Sequence, residues 1–157
     1  MIALLQRVSE ASVLVNDEVA GSQLVGQIGP GILGLLGVEK GDSETQADRL
    51  LERILAYRMF ADEQGRMNLD LRQAGGELML VPQFTLAANT DQGNRPGFST
   101  AASPEEGRRL FEYLLEGARA ALGHCQTGRF GAHMQLRLVN DGPVTFRLRV
   151  APGHPIT

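Results

Sequence analysis

Two stretches of this chain carry apolar residues at helical spacing, while most of the rest alternates or runs apolar, and a sheet with helices laid on it satisfies both patterns. Ala47, Leu50, Leu51, Ile54, Leu55 and Met59 fall on one face of a first helix, with Asp42 or Ser43 as its cap and Ser43 with Gln46 as a capping box. Leu110, Phe111, Leu114, Leu115, Ala118 and Leu122 stripe a second. That one has Ser103 as its cap, Pro104 at the first helical position, Glu106 to complete the box and Gly123 as its stop. Strands are expected over Ala3 to Val15, Val19 to Gln27, Ile32 to Val38 and Glu77 to Phe84. His133 to Val139 and Val144 to Val150 alternate and read as a hairpin whose loop is Asn140-Asp141-Gly142-Pro143. The expected fold is α+β, a single domain with a curled, barrel-like, largely antiparallel β-sheet and two main amphipathic helices. Residues 1–150 form that domain, and 151–157 are a C-terminal tail expected to fray.

A length of 157 residues is enough for one core. No apolar run reaches the ~18 residues of a membrane span, and Met1 to Arg7 has no basic segment of a signal peptide. The single cysteine, Cys125, cannot form an internal disulfide, so a cytoplasmic location is expected. A net charge of −3 argues against a coat for long nucleic acid and leaves open a protein that touches only an RNA end. The chain has fourteen arginines against one lysine, Lys40. Arginine suits phosphate, and compositional bias explains the excess at least as well.

Conventional catalytic machinery is missing from the pattern. His124 and Cys125 are neighbours, which on an extended chain point to opposite faces. His154 lies in the tail, and His133 is read as a strand residue. Neither a metal-ligand spacing nor a phosphate-binding glycine loop is present, and no metal or cofactor is expected. Two segments remain. In Pro82-Gln83-Phe84-Thr85-Leu86-Ala87 the proline ends regular pairing, and the segment is either a plain edge strand or one whose Gln83, Phe84 and Thr85 N–H groups face a ligand. Thr85 taken alone fits strand packing, a substrate contact or a nucleophile. In Asn140 to Thr145, Gly142-Pro143 is either a plain turn or, if its bond is cis, a wall of backbone carbonyls.

These segments, with Gln6-Arg7-Val8, Leu36-Gly37-Val38-Glu39, Gly65-Arg66-Met67-Asn68-Leu69, Arg95-Pro96 followed by Phe98, and Gln126-Thr127-Gly128-Arg129-Phe130, resemble the bacterial D-aminoacyl-tRNA deacylases over Met1 to Val150. Pro82 stands where that family usually has Ser. The resemblance implies an enzyme that hydrolyses the ester between a D-amino acid and the 3′-terminal adenosine of tRNA, acts on glycyl-tRNA and rejects L-aminoacyl-tRNA. It implies Gln83, Phe84 and Thr85 as the catalytic segment, and Gly142, Pro143, Arg7 and Met134 as substrate-binding and chiral-rejection residues. It further implies catalysis assisted by the tRNA 2′-hydroxyl, a homodimer with sites at the subunit interface, and neither membrane nor DNA as partner. The readings left beside it are a threonine-nucleophile esterase and a non-catalytic RNA-end binding module.

Overall fold

The computed structural model describes residues 1–153; His154 and the rest of the tail lie outside the described residues. β1 (Ile2–Asp17) organises the molecule. Its first half pairs antiparallel with β3 (Gly31–Gly37), and its second half with β2 (Gly21–Ile28). Along nearly its whole length the other edge pairs antiparallel with β8 (Met134–Arg149). β3 continues in parallel to β6 (Glu77–Pro82), and β6 in parallel to the short β7 (Gln126–Thr127). Gly26 of β2 then approaches β7 so closely that a Cβ there would stand 2.9 Å from the Thr127 carbonyl oxygen. The sheet is therefore mixed and curls almost into a barrel. A two-stranded ribbon of β4 (Phe60–Ala61) and β5 (Met67–Leu69) and a one-turn helix α2 (Leu71–Ala74), none of them foreseen, fill the connection to β6.

Alternation along the strands separates two apolar clusters. Ala3, Leu5, Ile32, Leu36, Leu78 and Leu80 face the helices α1 (Glu44–Ala56) and α3 (Pro104–Leu122). Val13, Leu33, Met79 and Val81 point to the other face, into the curl. Burying each Leu, Ile, Val or Met side chain among them contributes about 1.5–3 kcal/mol, so the face choice of these strands is fixed by their period.

Helix signals were legible, with local corrections. Gln46 closes its box on Ser43, accepting from the Ser43 backbone N–H at 2.9 Å. Ser103 accepts from the Glu106 N–H, but the Glu106 carboxylate turns to Arg109 instead of completing a box. Met59 is buried beyond the end of α1. β6 stops at Pro82, and His133 sits one residue before β8. The larger correction concerns the expected hairpin. Val139 pairs with Glu10 and Phe146 with Leu5 on the same neighbour, so 134–149 is one strand. Between Val8 and Gln6 the register advances from Asn140 to Thr145, and the intervening residues bulge out of the ladder. Alternation alone cannot distinguish a turn from a bulge when both interrupt it with Asp-Gly-Pro.

Candidate active site

Pro82 is the last residue of β6 to pair, opposite Leu36. Gln83 then donates its backbone N–H to the Leu36 carbonyl at 2.7 Å. That N–H is committed to the sheet, contrary to the sequence expectation. The next residues turn into a 3-10 helix, Phe84–Ala87, closed by Leu86 N–H to Gln83 O at 3.1 Å and Ala88 N–H to Thr85 O at 3.2 Å. A helix start leaves its first N–H groups without intrahelical acceptors. Here those groups belong to Phe84 and Thr85, and among the described residues neither meets a backbone acceptor. The Gln83 side-chain amide donates to the Thr85 hydroxyl. Gly37 permits this turn to lie against β3, since a Cβ there would stand 2.9 Å from Leu86 Cβ and 3.1 Å from the Gln83 carbonyl oxygen.

Beside the turn is a cavity of about 460 Å³. Gln83, Phe84, Leu36, Phe111, Phe130 and Met134 are among the residues that line it. Met134 is held by its sulfur, which accepts from the Arg129 N–H at 3.3 Å. The only titratable side chain on the lining among the described residues is His133, which is exposed. Such a cavity binds and orients a ligand with an apolar face and offers little acid–base chemistry of its own. Phe111, Phe130 and His133 were not picked out as site residues. Phe130 belonged to a noted motif, but nothing in the spacing shows that the segment after β7 returns to the end of β6.

Gly142, Pro143 and Arg7 lie elsewhere. The Gly142–Pro143 bond is cis, and Gly142 has φ +135°. A Cβ on Gly142 would meet Val144 Cγ2 at 2.7 Å and Val144 N at 2.9 Å, so only glycine fits. Asn140 brackets the bulge, donating to Thr145 Oγ1 at 2.9 Å and accepting from the Val144 N–H at 3.1 Å. Arg7 grips it from β1: Nε donates to the Asp141 carbonyl oxygen at 3.1 Å and Nη1 to the Met59 carbonyl oxygen at 2.9 Å. Arg7 pairs with Ile32 at one end of β3, whereas Gln83 is bonded to Leu36 at the other. Four residues of strand separate the two levels by about 13 Å along the strand axis.

His124 and Cys125 form no dyad. His124 is exposed, with Nε2 4.0 Å from Glu77 Oε1. Cys125 is buried in the helix-side core, and burial pushes its thiol up to about 12.

A family model described as D-Tyr-tRNA(Tyr) deacylase matches residues 4–149. The D-aminoacyl-tRNA deacylase of Nitrosococcus oceani is 56% identical over 152 residues, which cover 97% of this chain and 95% of that protein. That of an Enterobacter species is 57% identical over 150 residues, 96% of this chain and 100% of the other. Among solved structures, one titled c-Myc DNA Unwinding Element Binding Protein superposes with a TM-score of 0.88 at 34% identity, covering 96% of this chain and 99% of that one.

Proposed function

This chain belongs to the D-Tyr-tRNA(Tyr) deacylase family and is a hydrolase of that kind, and on that premise we propose a chiral-editing mechanism that works by exclusion and backbone hydrogen bonds. The observation that carries it is the pair of N–H groups, Phe84 and Thr85, that meet no acceptor among the described residues, in the turn beside an apolar cavity lined with almost no acid–base groups. The terminal adenosine of the tRNA occupies the cavity against Phe130 and Met134. The ester carbonyl lies toward the Phe84 and Thr85 N–H groups, which stabilise the oxygen as it gains charge. Water bonds to the carbonyl carbon and the bond to the ribose 3′-oxygen breaks. One proton ends on that oxygen, and the free amino acid ionises. The neighbouring 2′-hydroxyl positions the water, an intramolecular arrangement of high effective molarity.

Selection comes from the Gly142–Pro143 bulge of a second copy of the chain. Its carbonyls occupy the place an L side chain would need, so D-aminoacyl esters enter and L esters clash. The separation of the bulge from Gln83 within one chain favours this two-chain arrangement. Glycine has no side chain to exclude, so glycyl-tRNA is also a substrate. We further place the enzyme in the cytoplasm, with a homodimer as the working form. Among the described residues no helix is long and apolar enough to cross a membrane. The net charge of −3 favours contact with an RNA end over contact with long DNA. A threonine nucleophile would need a base beside it, and the Thr85 hydroxyl contacts an amide, which is not one.

The test is deacylation of D-tyrosyl-, L-tyrosyl- and glycyl-tRNA by wild type and by Gly142→Ala. Loss of the D and glycyl esters alone, with L hydrolysis emerging in the variant, is expected. Equal hydrolysis of the D and L esters by wild type, or inert glycyl-tRNA at high enzyme, would overturn the wall.

A further inference from the structure

Two large aromatic side chains stand exposed against each other, one of them on the lining of the cavity. Phe84, on that lining, is 61% exposed, and Phe98 is 42% exposed. Their ring centroids are 5.1 Å apart with planes at 45°. The segment that carries Phe98 is pinned. Asn89 and Gly97 exchange backbone bonds of 2.7 and 3.0 Å, the Thr100 hydroxyl donates to the Ala87 carbonyl at 2.6 Å, and Ala101 N–H donates to Phe98 O at 3.1 Å. Thr100 O in turn accepts from the Lys40 N–H at 2.8 Å. The rings are thus presented by a fixed frame, and an exposed aromatic pair beside a binding cavity marks a contact surface. Arg95 lies in the Asn89–Gly97 loop, exposed to solvent, with Asp91 the acid of the same loop.

We propose that the Phe84–Phe98 pair is a stacking platform for the unpaired nucleotide preceding the terminal adenosine of tRNA, with Arg95 meeting its phosphate; this rests on the reading of the cavity given above. A strand whose last base lies in the cavity must leave past its lining, of which Phe84 is part. Every base has a π-face, so such stacking tolerates sequence and suits a single-stranded end. The guanidinium supplies the complementary charge for a backbone phosphate.

The measurement is hydrolysis of D-tyrosyl-adenosine, a D-tyrosyl trinucleotide ending in CCA, and D-tyrosyl-tRNA by wild type, Phe98→Ala and Phe98→Trp, with sedimentation of each. Wild type should prefer the trinucleotide to the nucleoside. Phe98→Ala should raise KM for the trinucleotide about tenfold, the effect of losing one stacked base, with kcat within about twofold, and so erase that preference. Phe98→Trp should keep it, and Arg95→Gln should weaken the salt dependence of KM for tRNA. Should Phe98→Ala not fold, Phe98→Leu reads the same way. An equal rise of KM for D-tyrosyl-adenosine would overturn the platform, since Phe98 would then only shape the cavity. Dissociation of Phe98→Ala into monomers would also overturn it, because the pair would be covered by a second copy. Failure of wild type on every D ester would refute the function itself, an outcome distinct from an unchanged Phe98→Ala.

Discussion

The division of labour at the site is sharpest at Thr85, whose N–H and hydroxyl make different claims. Among the described residues the hydroxyl is held by the Gln83 amide and bonds to no base, while the N–H is left over by the geometry of a helix start. Thr85→Ala removes one and keeps the other. The expected outcome is a fall in kcat of about tenfold or less, the worth of one ordinary hydrogen bond, measured in single turnover on D-tyrosyl-tRNA. Loss of all activity in a folded protein would restore the nucleophile. The rim imidazole supplies the complementary check: His133→Gln should retain the rate, and a large loss would show that a protein base is used after all. Cys125 illustrates a residue whose chemistry is switched off by place. Burial, the largest influence on it, pushes the thiol up to about 12 and keeps it neutral. Iodoacetamide at pH 8 should leave native protein unlabelled and react once urea unfolds it; rapid native labelling would contradict the core position.

At the scale of elements, the sequence marked the helices well because caps and stripes are local, and it marked the strands by period. It misjudged how two of those strands relate. Asp141-Gly142-Pro143 reads as a hairpin tip, but whether a break in alternation reverses the chain depends on the partner strand, here a 16-residue β1 that runs past both halves of β8. The same logic explains why Arg7 was legible only through resemblance: its role depends on two carbonyls far away in sequence, Asp141 and Met59. Arg7→Ala leaves both without their donor, so a stability loss of about 1–3 kcal/mol is expected, together with a lower ratio of D to L hydrolysis. Arg7→Lys should rescue only partly, because one ammonium does not reproduce a planar fork. Unchanged discrimination in a correctly folded Arg7→Ala would mean the bulge holds its shape without the arginine.

For the whole molecule, the site residues named from sequence divide into two groups. Gln83, Phe84 and Met134 share one cavity, with Thr85 in the turn beside it, while Arg7, Gly142 and Pro143 sit at the other end of β3. Sequence spacing could not reveal this, since it does not distinguish segments joined by the fold from segments joined by a second copy. If a working site joins the first group of one chain to the bulge of another, defects should complement across chains. Thr85→Pro deletes both the hydroxyl and the N–H, and Gly142→Val forces a side chain into the space held by Val144. Thr85→Pro removes turnover and Gly142→Val opens the wall; mixed and allowed to exchange, the two form heterodimers in which one composite site is doubly damaged and the other intact. Random pairing then makes about a quarter of all sites intact, so L-tyrosyl-tRNA hydrolysis per Gly142→Val chain falls by about half while D-tyrosyl-tRNA hydrolysis per such chain is kept. Were each site built within one chain, every site in the mixture would carry a defect and L-tyrosyl-tRNA hydrolysis per Gly142→Val chain would not change.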